Sequence, residues 1–189
     1  MVVHNESSLL YGINASQTRI DFVNECLQMA RGWGYKVGIT QMGFEEACYQ
    51  TNATVQASCD FIGVNHYQAV STTNEPVSTG EIKRAMVDGI MFQRASYLKK
   101  KTGKTIILSE SGVQDYWISL ANPGVATWQS YAEGQGYQPT YGETQGRYQC
   151  ALIEACADNE VIEEIWTWYS LRAGSRCYEQ IRQKLGGKY

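Results

Sequence analysis

Short apolar runs alternate with helix-length segments along this chain, and this alternation limits its possible folds more than any other feature. The clearest run lies in Thr105 to Gln114, T-I-I-L-S-E-S-G-V-Q, where three consecutive aliphatic residues are typical of a strand buried on both faces. The other predicted strands are Met1 to His4, Tyr35 to Thr40, Asp60 to Tyr67 and Glu164 to Ser170. Five strands separated by helices predict a parallel sheet with helical crossovers.

Apolar residues at helical spacing predict the crossovers. A helix from Ser16 to about Arg31 is expected to bury Ile20, Val23, Leu27 and Ala30. One long helix from about Glu81 to Lys101 is expected to bury Ile82, Met86, Ile90 and Tyr97. Further helical segments are predicted at Phe44 to Ser58, Glu143 to Asp158 and Arg176 to Leu185.

Two α/β architectures fit five such units: a doubly wound sheet and part of an eight-stranded barrel. Neither G-x-G-x-x-G nor G-x-x-x-x-G-K-[ST] follows any predicted strand, so a nucleotide-binding sheet has no support. Polar residues end every strand, which favours a barrel because several of its strands contribute to one rim site. The prediction is therefore an α/β fold of the TIM (β/α)8 type.

Composition and charge exclude several classes of function. The formal net charge of −3 provides no basic surface for nucleic acid or an anionic membrane. No stretch approaches the roughly 20 apolar residues that span a bilayer. The chain has two histidines, His4 and His66, and no C-x-x-C pair, so neither a metal site nor a cofactor is expected.

Two glutamates carry the predicted chemistry. Glu6 and Glu110 each follow the end of a predicted strand, and the carboxyl ends of barrel strands form the site in this architecture. Paired carboxylates about 5–5.5 Å apart suit a retaining glycosidase, and a wider separation suits an inverting one. Asn5, directly before Glu6, is placed to hydrogen-bond a sugar 2-hydroxyl. The competing interpretation of Glu110 is a strand-end carboxylate that caps a helix or pairs with a lysine.

An ordered set of short motifs resembles glycosidases whose catalytic glutamates lie on barrel strands four and seven. The most similar family is glycoside hydrolase family 17, the β-1,3-glucanases and glucanosyltransferases. Its pattern is matched by N-E before a Leu-Tyr pair, a V-T-T-like strand, D-x-I-G-x-N, E-S-G in place of E-T-G, and an aromatic last strand. These motifs begin at Asn5, Val37, Asp60, Glu110 and Ile165. The chain departs from the family at Val113 and Gln114, where Trp and Pro are usual.

The resemblance implies a role for each of six residues. Glu6 is expected to be the acid/base and Glu110 the nucleophile of a retaining double displacement on β-1,3-glucan. Asn5, Asn65, Tyr67 and Trp166 are expected to line the subsite where the bond breaks. The alternatives are a non-catalytic carbohydrate-binding or wall-structural relative, and a glycosidase of the same clan that acts on xylan, mannan or cellulose.

The resemblance also implies that residues 1–189 form one partial domain, equivalent to roughly strands four to eight. A barrel of this kind needs about 250 residues. The chain is therefore expected to be a fragment, or to pair with a missing N-terminal half. Its other expected partner is a polysaccharide or oligosaccharide.

Six cysteines permit up to three disulfides, and three N-x-[ST] sequons begin at Asn5, Asn14 and Asn52. Together they favour an extracellular or cell-wall parent protein, although no signal peptide precedes them. Thirteen tyrosines and five tryptophans suit sugar stacking and ordinary cores alike. The segment from Asp115 to Gly142 is too long for a routine connection and is a candidate binding loop. Its aromatic residues, which include Trp117, Tyr137 and Tyr141, are equally well interpreted as sugar platforms or as loop packing.

Overall fold

A computed structural model describes residues 1–5, 11–124 and 128–167, together with 179, 182 and 183. Its strands are β1 (Val2–Asn5), β2 (Gly38–Gln41), β3 (Phe61–Asn65), β4 (Thr105–Ser111) and β5 (Glu164–Thr167). Its α-helices are α1 (Gln17–Gly32), α2 (Ala53–Ser58), α3 (Thr79–Asp88), α4 (Met91–Thr102), α5 (Trp128–Gly134) and α6 (Glu143–Asn159). A π-helical turn covers Glu46–Gln50 and a 3-10 turn covers Trp117–Ala121. The predicted helix from Arg176 to Leu185 falls almost entirely outside the described residues.

The five strands form one sheet in sequential order, β1-β2-β3-β4-β5. β1 pairs with β2 in parallel, and β2 pairs with β3 in parallel with Gly38 opposite Phe61 and Gln41 opposite Val64. Helices connect successive strands, because parallel neighbours need a crossover. Each strand is one that the sequence predicts, and the sequential order is that of a barrel wall.

Helix α1 covers β2 with the predicted face. Ile20, Val23, Leu27 and Ala30 are all buried. They form one core cluster with Val37, directly before β2, and with Ile39 of β2. The same cluster contains Tyr11, Val55 of α2 and Cys59, which follows α2. The opposite face of the helix leaves Phe22 and Met29 half exposed. The helical spacing therefore predicted which face of α1 is buried.

We expect Leu27→Ala to lower the free energy of unfolding by about 2–5 kcal/mol, since Leu27 is fully buried and its truncation leaves a cavity. Chemical denaturation measures the loss. Phe22→Ala, on the same helix with the Phe22 side chain 50% exposed, is the matched control and should cost less than about 1 kcal/mol. Equal losses for the two variants would contradict the assigned face.

The single long helix predicted from Glu81 to Lys101 is wrong. The chain forms α3 and α4 with a break at Gly89 and Ile90. The break resets the helical phase, so Ile90 and Tyr97 are 55% and 44% exposed, although the uninterrupted pattern placed them in the core. The residues of α4 that are buried instead are Met91, Phe92, Ala95 and Leu98.

Close approach of the chain explains the glycine at this break. A Cβ at Gly89 would lie 2.7 Å from Gln68 Oε1 and 3.0 Å from the Ala85 carbonyl oxygen. Helix α3 begins with a capping box in which Ser78 Oγ accepts from Glu81 N and Glu81 Oε2 accepts from Ser78 N. The start of α3 is thus fixed by a local interaction.

The described residues divide into two compact units. The first comprises Met1–His66, Phe92–Ser109 and Val161–Trp166, and it contains most of the sheet and α1. The second comprises Tyr67–Met91 and Glu110–Glu160, together with the few described residues from Thr167 onwards. In the second unit α3 packs against α6, and Lys83 Nζ lies 2.6 Å from Asp158 Oδ2 and 3.7 Å from Glu154 Oε2.

Five of the six cysteines lie in the described part of the chain, and four of these are free thiols: Cys26, Cys48, Cys59 and Cys156. Burial raises the pKa of Cys59 and of Cys156 to about 12, so both thiols are protonated at neutral pH and inert as nucleophiles. Among the described helices, none is both long and apolar enough to cross a membrane.

Candidate active site

Glu110 is the next-to-last residue of β4. Because successive side chains of a strand point to opposite faces, Glu110 faces away from its two neighbours. Ser109 and Ser111 are buried, whereas Glu110 is partly exposed. Its Oε2 atom accepts a hydrogen bond of 2.9 Å from the hydroxyl of Tyr67. A phenol that donates to a carboxylate holds it in one orientation. The second unit therefore brings together Glu110 and Tyr67, two of the residues that the sequence predicted for the site.

Tyr67 is held by its neighbours along the chain and by the loop after β4. A Cβ at Gly124 would lie 3.1 Å from Tyr67 Cδ2, so the glycine leaves room for the ring. The next residue, Gln68, donates its backbone N–H to the Tyr148 hydroxyl over 3.1 Å. Tyr148 is fully buried on α6, and burial raises its pKa to about 12, so it remains a neutral partner throughout the physiological range. The backbone next to Tyr67 is thus tied to the helix.

Asn65, the last residue of β3, belongs to the first unit and is buried. Its Oδ1 atom accepts a hydrogen bond of 2.7 Å from Ser109 Oγ on β4. Gly63 makes this arrangement possible, because a Cβ there would lie 2.8 Å from Ser109 Oγ and 2.7 Å from Thr40 Cγ2. The glycine of the D-x-I-G-x-N motif therefore leaves space for the side chains of Thr40 and Ser109 on the neighbouring strands.

Trp166 packs against the beginning of β3, whereas Asn65 ends that strand, and the predicted place of Trp166 in the bond-breaking subsite stays a prediction. Its ring packs edge to face on Phe61, the first residue of β3, with the centroids 6.2 Å apart. Asn65 ends the same strand, about 13 Å further along at about 3.3 Å per residue. Trp166 borders a cavity of about 560 Å³ whose other walls include Met1, Lys36 and Lys104.

The acid/base half of the predicted pair lies outside the described residues. Asn5 is the last residue of β1 and pairs with Thr40 of β2. The Asn5 side chain and the whole of Glu6 fall outside the description. The meeting of Glu6 and Glu110 at one site therefore stays a prediction.

Sequence reasoning missed how the site is supported. Ser109 and Tyr148 position the site residues, yet each sits in a pattern that indicates only a buried strand or helix. Asp115 begins the long loop after β4. Its carboxylate accepts hydrogen bonds from the Thr140 hydroxyl and, over 2.7 Å, from the Gly142 N–H, so it fixes the far end of the long loop. Within the described ranges no group of three or more His, Cys, Asp or Glu residues is arranged to hold a metal ion.

Comparison with known proteins extends the description of the fold. No family model matches the chain, and no curated protein matches it either. A glycoside hydrolase family 113 β-1,4-mannanase is 14% identical with a TM-score of 0.60, over 99% of this chain and 55% of that one. The β-glucuronidase of Ruminococcus gnavus is 14% identical with a TM-score of 0.52, over 88% of this chain and 25% of that one.

A third solved structure is more distant. The family 17 β-1,3-glucanosyltransferase of Rhizomucor miehei is 12% identical with a TM-score of 0.48, over 79% of this chain and 45% of that one, and it supports no argument. The chain spans about half of the mannanase and a quarter of the glucuronidase. At these identities the likeness shows the fold. The chain is an α/β barrel of the TIM type, present in part.

Proposed function

We propose that the protein is a retaining glycoside hydrolase acting on β-1,3-glucan-type polysaccharide, with Glu6 as acid/base and Glu110 as nucleophile. The observation that carries the proposal is the hydrogen bond from the Tyr67 hydroxyl to Glu110 Oε2 near the end of a barrel strand. Catalytic groups of TIM barrels come from the carboxyl ends of strands. The ordered motifs around Asn5, Asp60 and Glu110 support the choice of glucan.

The reaction divides into two displacements. In the first, a Glu110 oxygen bonds to the anomeric carbon while the bond to the leaving oxygen breaks, and Glu6 gives that oxygen a proton. In the second, Glu6 removes a proton from water, the water oxygen bonds to the anomeric carbon, and the bond to Glu110 breaks. The two inversions restore the β configuration. Tyr67 keeps one oxygen of Glu110 occupied, which leaves the other to attack.

Asn5 and Asn65 are proposed to bind the sugar at the cleaved bond. Their predicted role is hydrogen bonding to ring hydroxyls, and Asn5 is assigned to the 2-hydroxyl next to the anomeric carbon. A contact to that hydroxyl strengthens in the oxocarbenium-like transition state. For Asn65 the Oδ1 atom is already engaged by Ser109, so its amide N–H group is the proposed donor to the sugar.

Covalent trapping tests the proposal directly. A 2,4-dinitrophenyl 2-deoxy-2-fluoro-β-glucoside should release one equivalent of dinitrophenolate and leave a fluoroglucosyl ester on the protein. Peptide mass spectrometry should locate the ester at Glu110. Proton NMR of laminarioligosaccharide hydrolysis should show the β-anomer formed first. A label on another residue, or first formation of the α-anomer, would refute the mechanism.

We expect Tyr67→Phe to lower kcat/KM by about 10- to 100-fold, because a hydrogen bond to a charged group contributes about 1.5–3 kcal/mol. Initial rates on laminarioligosaccharides measure the effect. Tyr97→Phe changes a tyrosine that is 44% exposed on α4, and it should leave the rate unchanged. Equal rates for Tyr67→Phe and the unchanged protein would remove Tyr67 from the site.

A second candidate substrate is β-mannan, because the β-1,4-mannanase has a higher TM-score (0.60) than the glucuronidase (0.52). That argument is fold-level analogy and identifies no sugar contact. Hydrolysis of laminarin, mannan, xylan and cellulose oligosaccharides side by side decides between the candidates. A non-catalytic relative would bind one of these glycans and release no product. An extracellular or cell-wall location, proposed from the sequons, fits any of these glycans.

A further inference from the structure

Tyr141 combines two features that fold stability does not explain. Its side chain is 75% exposed, so it adds little to any core. Its φ of 53° lies in the left-handed region, which costs a residue with a Cβ of order 1–3 kcal/mol. Strain of this kind persists where surrounding structure enforces it, and it clusters at binding and catalytic sites.

Asp115 enforces the conformation from both sides of Tyr141. Its carboxylate accepts from the Thr140 hydroxyl and from the Gly142 N–H, and its carbonyl oxygen accepts from the Thr140 N–H over 2.9 Å. Thr140 Oγ1 also accepts from Thr144 N over 3.0 Å, which joins the turn to α6. The ring of Tyr141 is therefore presented to solvent on a rigid support, so binding a ligand would cost little ordering.

An open cavity of about 500 Å³ lies beside this ring in the second unit. Its other aromatic walls are Trp117 and Tyr137. Trp117 is nearly buried and fixed by Arg147, whose guanidinium carbon lies 5.0 Å from a ring centroid of the indole. Asn74 also lines the cavity and ties it to the 3-10 turn, since its Oδ1 accepts from Ile118 N over 3.1 Å.

The chemistry of this cavity selects a neutral polyol with flat apolar faces. Aromatic rings stack on the C–H faces of a pyranose, and amide, hydroxyl and phenol groups hydrogen-bond its hydroxyls. The remaining polar lining groups are those of Gln138 and Thr140. Glu143, the one carboxylate in the lining, forms an ion pair with Arg147, which disfavours a charged ligand.

We propose that Tyr141, Trp117 and Tyr137 form an accessory pyranose-binding platform that holds a polysaccharide chain on the loop after β4. The class of ligand rests on the proposed function, but the platform is a separate set of residues from Glu110 and Tyr67. Tyr141 is its exposed stacking surface, and Asp115 is its positioning residue.

Binding measurements test the platform independently of turnover. In the full-length Glu110→Gln protein, which should not consume the ligand, affinity electrophoresis in laminarin or glucomannan gels gives a dissociation constant. Tyr141→Ala and Tyr141→Gly should each weaken binding by about tenfold. Tyr141→Gly should keep or raise Tm, because glycine adopts positive φ without cost, so lost binding cannot be attributed to unfolding. Tyr97→Ala, which removes another exposed tyrosine, should bind as the parent does.

Two results would overturn the platform: failure of the parent protein to bind any glucan or mannan, or unchanged affinity in both Tyr141 variants. Binding that depends on Tyr141 in a protein that hydrolyses no glycan would uphold the platform and refute the proposed hydrolase. Hydrolysis of a glycan by a protein whose affinity does not depend on Tyr141 would support the proposed hydrolase and refute the platform.

Discussion

Glu110→Gln should lower kcat on laminarioligosaccharides by about 10⁴- to 10⁶-fold, the range of losses when a residue of a catalytic triad is removed. The amide has nearly the shape of the carboxylate, and its carbonyl oxygen can still accept from the Tyr67 hydroxyl. Local structure should therefore survive while the attack on the anomeric carbon is lost. Initial rates of reducing-sugar release, with Tm as a check on folding, measure the change.

Glu25→Gln is the matched control, since Glu25 is an exposed glutamate on α1. It should retain the full rate. Comparable activity in the two variants would place the chemistry elsewhere. Loss of activity with a large fall in Tm for Glu110→Gln would show that the Glu110–Tyr67 hydrogen bond is structural.

The elements that the sequence predicted best are those in which one local pattern decides the outcome. Ile106, Ile107 and Leu108 are buried in β4, as a continuous apolar run requires of a strand covered on both faces. The placement of Glu110 near the end of that strand follows from the same run. Helix α1 buries the four residues at helical spacing because no glycine or proline interrupts its phase.

The predictions from sequence are wrong or incomplete where contacts between residues far apart in the chain determine the structure. Gly89, at the break between α3 and α4, leaves room for Gln68, twenty-one positions earlier, and no periodicity within residues 81–101 contains that contact. Tyr35, predicted as the start of a strand, is 53% exposed and precedes β2. The hydrogen bond between Tyr67 and Glu110 joins residues 43 positions apart. Spacing placed both residues at strand ends but could not provide the contact.

The alternation of side chains along a strand also does not specify how far along the barrel axis a side chain lies. Trp166 and Asn65 both belong to strands of the sheet, yet one lies beside the first residue of β3 and the other is its last. Period-two reasoning predicts the face of a side chain, whereas its layer depends on the stagger between strands. A residue of β5 is therefore assigned to the site only when strand register is known.

Glu6→Ala should separate two kinds of substrate. With laminarioligosaccharides, whose leaving oxygen needs a proton, kcat/KM should fall by about 10²–10⁴-fold, the usual contribution of general acid catalysis. With a dinitrophenyl β-glucoside, glycosylation needs little protonation and should be nearly spared. The glycosyl ester on Glu110 would then accumulate, because no base activates the water that hydrolyses it. A fast burst of dinitrophenolate followed by a slow steady rate is the expected result.

Azide should rescue the slow step, because it is a nucleophile that needs no base. Its terminal nitrogen would bond to the anomeric carbon as the Glu110 carboxylate leaves, giving a β-glucosyl azide that NMR identifies. Ser16→Ala, a change at the residue before α1 whose side chain makes no cap hydrogen bond, should show neither burst nor azide product. Equal loss on both substrates, or an α-azide, would contradict an acid/base role for Glu6. The β-azide would place Glu6 on the opposite side of the cleaved bond from the nucleophile, which is what a retaining site requires.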